Sequence, residues 1–418
     1  MLAALAAAGT HSGACALRWL QVQGVAVKHV SGLEAIDRDA ERLSLLLRSL
    51  PALESLIVVK LHAAASCTSP ADASDFLAGA ARALGRCPCL LHLKLTILLN
   101  TWEDQLPETV GQDLAGARTL EGLEVAVRCW RVADLDMPPV AHTAHLVAGL
   151  AGLSRLRALK LESNYVEAPL PACLSRLAQL TSFTLSGLNG LRCAPGWARL
   201  PLLASLKIEW CTFAADGEDA LPGMDALTAL TSLSLAGYNS PVFPLGILAM
   251  SRLKHLDLTH GYFEHVPEGV SVLTALEVLR LGRYNGPCEW GTYGVGHIGG
   301  SLDARALGSL AGFPRLRCLA FKNCCVLLCP SIQAAAVHPR LERLRLRSSY
   351  PASGPSWLAF LELVGGLLRQ GRPDALELRN CYFSGAGQQE CRSFCAALQA
   401  VGFPEDKIPR YSTCYDSE

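Results

Sequence analysis

Apolar residues recur along this chain with one internal spacing, Leu-x-x-Leu-x-Leu, and the places between the last two apolar positions are polar in most copies. Twelve copies align. By first, fourth and sixth place the early ones are Leu53, Leu56, Val58, then Leu90, Leu93, Leu95, then Leu120, Leu123, Val125. The middle ones are Leu156, Leu159, Leu161, then Leu180, Phe183, Leu185, then Leu203, Leu206, Ile208, then Leu230, Leu233, Leu235. Next come Leu253, Leu256, Leu258 and Leu276, Leu279, Leu281. The late ones are Leu316, Leu319, Phe321, then Leu341, Leu344, Leu346, then Pro373, Leu376, Leu378. Leu17, Leu20 and Val22 form a fainter first copy. Alternation at places four to six is the period of a strand with one buried face. So short a unit cannot seal its own apolar side, and each strand must pair with its counterpart in the next copy. Starts from Leu156 to Leu276 lie 24, 23, 27, 23 and 23 residues apart. That leaves room only for a brief helix or 3-10 turn as the return, and it makes all the strands parallel.

Elsewhere the copies are stretched, with starts 37, 30 and 36 residues apart early, 40 after Leu276 and 32 after Leu341. The extra residues, near 62–89, 126–155 and 286–315, are expected on the return side as longer helices or loops. Residues 71–86 read as a helix with Phe76, Leu77, Ala80 and Leu84 on one stripe, and the Gly-rich 286–301 as an excursion loop. Cys391, Phe394, Cys395 and Leu398 follow helical spacing and suit a terminal cap. The expected organisation is an N-terminal segment 1–50 with the faint copy, a repeat domain 51–382, and a cap helix with tail over 383–418.

Beyond the sixth place, Asn164 fills the ninth, and Cys211, Cys324 and Cys381 fill it in other copies. Residues 253–281, LKHLDLTHGYFEHVPEGVSVLTALEVLRL, continue with the apolar return Phe263, Val266, Pro267 and Val270. These units resemble leucine-rich repeats of the typical 23–24-residue type, with insertions, over roughly residues 50–382. The resemblance implies an α/β leucine-rich repeat solenoid, a curved horseshoe with a parallel sheet on its concave face. Short helices, 3-10 turns and loops would cover the convex face. It also implies that the ninth side chain satisfies backbone groups in the bend. Gly261 departs from that pattern.

Composition narrows the class further. Half of the 418 residues are hydrophobic and 18% are charged, ample material for a continuous core. Lys plus Arg and Asp plus Glu both number 37, which removes a global basic field for nucleic acid or an anionic membrane. The N-terminal stretch lacks a basic residue before Arg18, and no stretch approaches the ~18 apolar residues of a membrane span. Seventeen scattered cysteines, an odd number, fit free thiols in a reducing, cytoplasmic setting better than a disulfide framework.

Candidate chemistry mostly dissolves into the repeat. Gly294, Gly296 and Gly299 spell G-x-G-x-x-G, but without the strand before and helix after that a dinucleotide turn requires. His142 with His145, Cys87 with Cys89, and Cys324, Cys325 and Cys329 are spaced like ligands, yet no second pair matches them for zinc. No nucleophile carries a local signature. The expectation is a non-enzyme without cofactor or metal.

What remains is the exposed side of the strands. Places two, three, five, seven and eight are expected to face solvent. Trp210 stands at one such place, and His255 and Asp257 at others. Later copies are basic, with Arg280, Arg283, Arg317, Lys322, Arg343, Arg345, Arg347 and Arg379 against Glu277, Glu342 and Glu377. Partner binding is therefore expected at Trp210, His255, Asp257, Arg280, Arg283, Lys322, Arg343, Arg345, Arg347 and Arg379. Strands ~4.8 Å apart give twelve or thirteen copies a face of about 55–60 Å, the scale of an extended protein partner. The expected function is a monomeric protein–protein interaction scaffold whose partner offers an acidic segment. The alternatives are substrate recognition for an F-box ubiquitin ligase, although residues 1–50 show no adaptor-binding module, and a ciliary or cytoskeletal scaffold.

Overall fold

The computed structural model describes residues 18–22, 25–26, 52–62, 70–99, 106–129, 142–163, 170–188, 198–211, 221–238, 242–283, 301–303, 312–322, 325–327, 340–347, 350–351, 375–379 and 395–404, with isolated positions between them. The chain forms two compact units, Met1–Ala229 and Leu230–Glu418.

In the first unit the strands are β1 (Trp19–Val22), β2 (Val25–Ala26), β3 (Ser55–His62), β4 (His92–Leu99), β5 (Gly122–Cys129), β6 (Ala158–Ser163), β7 (Ser182–Ser186) and β8 (Ser205–Glu209). They lie in the order β1-β3-β4-β5-β6-β7-β8, and β2 pairs with β3. Every pairing is parallel, and the register matches copy to copy: Leu56, Leu93, Leu123, Leu159, Phe183 and Leu206 stand opposite one another in turn. The faint copy joins them, with Leu20 opposite Leu56. These fourth-place residues from Leu56 to Leu206 are at most 3% exposed, so each contributes ~1.5–3 kcal/mol of burial.

The second unit repeats the plan with β9 (Ser232–Ser234), β10 (His255–Gly261), β11 (Val278–Arg283), β13 (Cys318–Lys322), β15 (Arg343–Arg347) and β17 (Leu376–Arg379). They too are parallel, in that order, on a ladder of Leu233, Leu256, Leu279, Leu319, Leu344 and Leu376. A second, three-stranded parallel sheet is made by β12 (Ser301–Asp303), β14 (Cys325–Leu327) and β16 (Tyr350–Pro351). The leucine spacing does not predict this sheet, because its strands sit in the return segments of the late copies. Both units are α/β solenoids of the expected kind.

The returns sort by length, as the spacing predicts. The stretched early copies return through α1 (Pro70–Gly85), α2 (Thr109–Leu114) and α3 (His142–Leu150). Phe76, Leu77, Ala80 and Leu84 are all buried along α1, the predicted stripe. Copies of 23 or 24 residues return through 3-10 turns at Ala172–Arg176, Leu245–Ala249 and Glu268–Val272. Each opens after a proline and buries one apolar anchor, Leu174, Ile247 or Val270. Proline fixes its own φ at the cap and gives up an N–H that such a turn leaves unused. Helices need more room than strands, 8–10 Å against ~4.8 Å. Glycine eases the conflict where α2 meets α3: a Cβ on Gly149 would lie 2.4 Å from the Gly111 carbonyl carbon.

Cys211 illustrates the ninth place. Its thiol donates to the Glu209 carbonyl at 3.5 Å, burial pushes its pKa up to about 12, and backbone groups of Leu188 and Gly187 in the preceding copy contact it. In the C-terminal region residues 395–400 are helical and Leu398 is buried. Cys391 and Phe394, the ninth-place Asn164, Cys324 and Cys381, and the 286–301 loop up to Gly300 lie outside the described residues; Ser301 opens β12. Among the described residues no helix is long and apolar enough to cross a membrane.

Candidate functional site

Alternation leaves the intervening strand residues on the solvent side, but less uniformly than the spacing suggests. Ser163, Ser234, Thr259 and Cys318, all at places expected to be open, are buried. Place eight corrects the expectation most clearly. In the early copies the strand runs on for eight residues and place eight is an inward Ile97 or Val127. In four of the shorter copies place eight is instead a left-handed residue, Gly187 (φ 71°), Trp210 (φ 56°), Gly237 (φ 84°) and His260 (φ 59°), the last of them within β10 where the register shifts. Two copies use glycine, for which this region is free, and two hold a large side chain in a conformation that costs about 1 kcal/mol or more. Trp210 is 51% exposed despite that cost.

The sequence-predicted bases fall into three rows across the second unit. At place five stand Asp257, Arg280, Ala320, Arg345 and Glu377, one on each of β10, β11, β13, β15 and β17. At place seven Gly282, Lys322, Arg347 and Arg379 stand side by side. At place three are His255, Val278, Cys318 and Arg343, with His255 and Arg343 exposed. Arg379 is described by its backbone alone. Arg283 turns aside: its guanidinium donates to the Tyr262 carbonyl and pairs with Glu264 at 3.6 Å. Arg317, outside the rows, pairs with Glu342 at 2.7 Å. So the bases pair with Asp257 and Glu264 as well as with Glu342 and Glu377, while Glu277 pairs with Lys254 at 3.4 Å.

The place-five row has an ordered pattern of charge. Asp257 accepts from the Thr259 backbone N–H at 3.1 Å and hydroxyl at 2.8 Å through one oxygen. Its other oxygen accepts from Arg280 at 3.2 Å. At the far end Arg345 Nε lies 2.7 Å from Glu377 Oε2, yet off the hydrogen-bond axis, so this is an ion pair that leaves the Nε–H unspent. Each arginine is thus braced from the outside, and Ala320 stands between them. Above Ala320 is a hollow of about 230 Å³, edged by Arg280, Lys322, Arg345 and Arg347. Beside Lys322 at place seven only glycine fits on β11, since a Cβ on Gly282 would meet the Lys322 carbonyl oxygen at 2.3 Å. Burial and the neighbouring Arg347 hold the Lys322 ammonium below its usual pKa, against the opposing pull of Asp257. Burial, then Lys322 and Arg347, likewise push His260 below its usual value, while Asp257 pulls the other way.

The first unit has a hollow that the sequence reading missed. It measures about 300 Å³ and is edged by His92, Lys94, Gly122, Glu124, Ala158 and Lys160. Its place-five row is Lys94, Glu124, Lys160, and Glu124 Oε1 accepts from both lysines at 2.8 Å. Burial alone would raise the Glu124 carboxyl, but the hydrogen bonds from Lys160 and Lys94 outweigh it and hold it below the usual range. Beside it Arg128 donates to Glu162. Trp19, at place three of the faint copy, is a second exposed aromatic at 54%. His145 lies 3.7 Å from Glu108, and among the described residues no three of His, Cys, Asp or Glu converge on a common point.

No family model matches the chain, and no curated protein matches its sequence. Solved structures resemble it in fold. An internalin from Listeria monocytogenes has 15% identity over 84% of this chain and 89% of its own, with a TM-score of 0.46. A leucine-rich repeat protein of Leptospira interrogans has 14% identity over 90% of this chain and 98% of its own, TM-score 0.41. A chain of the Drosophila Toll–Spätzle complex has 14% identity over 86% of this chain and 43% of its own, TM-score 0.47.

Proposed function

We propose that this chain, a leucine-rich repeat protein whose strands stack in leucine register, is a non-catalytic scaffold that binds an extended protein partner along the solvent side of those strands. One observation carries the reading. Fourth-place residues are sealed in the core while their strand neighbours, such as Lys207, His255, Arg280 and Arg343, stay exposed on an already ordered backbone. Such side chains have no packing duty, and a preordered backbone removes much of the ordering cost of association. In the second unit the proposed contacts are His255, Asp257 and the bases at places three, five and seven, Arg379 included, with Arg283 at their margin. They face an acidic segment of the partner. In the first unit Trp210 is the proposed anchor, since exposed aromatics and arginines are the usual hot spots. Free thiols at seven described cysteines support a reducing, cytoplasmic setting.

The test is capture by the full chain, comparing wild type with Trp210→Ala and with Arg343→Glu/Arg347→Glu. Each variant should reduce the same captured partner at least tenfold, and the charge reversal should flatten the salt dependence of capture. Capture unchanged in both variants would overturn the proposal.

A further inference from the structure

The two place-five rows are inversions of each other. In the first unit a carboxylate stands in the middle and is held by a lysine from either side, Lys94 and Lys160, at 2.8 Å each. In the second unit the middle place is Ala320, the cations Arg280 and Arg345 flank it, and the carboxylates have moved outside to brace them. The position that Glu124 fills in one row is left open in the other. We infer that the hollow over Ala320 is a receptor for one phosphate monoester, carried on a side chain of the partner protein.

Charge, size and direction agree on that chemistry. The hollow is edged by four cations and two carboxylates, a surplus of two, which matches the roughly −1.5 to −2 charge of a phosphate ester at neutral pH. Arg280 and Arg345 sit two strands apart, about 9–10 Å between backbones, so their guanidinium groups can lean onto one tetrahedral group from opposite sides. Arg280 is held in place by Asp257, which is itself fixed by Thr259, so little ordering remains to be done on binding. Lys322 lies two residues beyond Ala320 on the same strand and face, beside Arg347. Crowding of these like charges is relieved when a dianion enters. At about 230 Å³ the hollow falls below the ~300–1,000 Å³ of ordinary small-molecule sites, which suits one ester group rather than a whole metabolite.

This inference rests on the reading of the strand side as a protein-binding face, and its test separates the two. The full chain is titrated calorimetrically at constant ionic strength with N-acetyl-O-phosphoserine methylamide, its unphosphorylated counterpart, and inorganic phosphate. The phosphorylated probe should saturate a single site and the unphosphorylated one should not bind. Ala320→Leu, which fills the hollow and leaves every charge, and Lys322→Gln/Arg347→Gln, which changes only side chains at the rim, should each weaken binding at least tenfold. Arg315→Gln, an exposed position in the same unit outside the hollow, should change it less than twofold. An equal loss in Arg315→Gln would show diffuse attraction and overturn the site. Inorganic phosphate binding more than tenfold tighter than the ester would assign the hollow to the free ion and overturn the phosphorylated partner. Should partner capture depend on Trp210 and Arg343 while the phosphoserine probe fails to bind, the hollow fails and the wider binding face stands. Should the probe bind while capture ignores every variant, the partner-borne source falls.

Discussion

The first unit supplies its own anion and the second does not. Lys94, Glu124 and Lys160 close on one another, so that part of the strand side is electrostatically finished before any partner arrives. Arg280 and Arg345 are each tied to an acid on the outer side, with the small Ala320 standing between them. The lesson is that net charge says little about readiness to bind. Both rows contain cations beside carboxylates, and the order in which the strands present them, together with Lys322 and Arg347 at place seven, decides whether an attractive centre is left open.

Exchanging the two centres is the strongest way to break this contrast. Ala320→Glu installs a carboxylate between the arginines and should weaken phosphoserine binding by at least about thirtyfold, or ~2 kcal/mol. It should also raise the urea midpoint slightly, by about 0.5–1 kcal/mol in stability. Undiminished binding would mean that the ester does not sit over Ala320. The reciprocal change, Glu124→Ala made in the Ala320→Glu background, removes the partner of two lysines that remain part-exposed. Discounted for solvent screening, the loss should be roughly 1 kcal/mol by urea denaturation. It should also create a weak phosphate-dependent stabilisation that Ala320→Glu alone lacks; a flat response to phosphate would break the equivalence of the two rows.

The smallest effect is in pH. Glu124 is held below its ordinary value of 4.5, so its contribution is complete above that pH and is lost as pH falls from there through the folded-state value. His260 is held below 6.5, so the unfolded chain takes up its proton first, and stability declines as pH falls from 6.5 towards the folded-state value. The urea midpoint should therefore drop in two separate windows. His260→Asn, which tolerates the left-handed backbone, should flatten the upper window, and Glu124→Gln the lower. Slopes indifferent to both substitutions would remove these groups from the account.

Much of this was legible in the spacing, because burial on alternate residues forces strands and equal copies force register. Place-five residues can be read straight down the alignment, and Lys94, Glu124 and Lys160 were as readable as Arg280, Ala320 and Arg345. What set the late copies apart in sequence is their run of arginines at several places at once, whereas a lysine–glutamate–lysine row looks like any solvated strand face. The Asp257–Arg280 and Arg345–Glu377 pairs join residues 23 and 32 apart and become visible only when the strands are laid side by side. The left-handed turn at place eight is signalled by Gly187 and Gly237, but nothing local in Trp210 or His260 announces it. The second small sheet is hidden for a different reason: three-residue and two-residue strands carry too little alternation to register as a period.

The buried cysteines have a consequence for how this molecule can be watched. Only a thiolate is nucleophilic, and burial pushes Cys87 to about 11 and Cys211 to about 12, with Cys318 also raised. Stacked copies open locally, at free energies below that of unfolding the whole chain. Each of these three thiols therefore stays chemically silent until its own stretch opens, at the end of α1, behind β8 and within β13. The chain carries built-in clocks for local opening, and alkylation timed at each one reads the stability of a different stretch without adding any label.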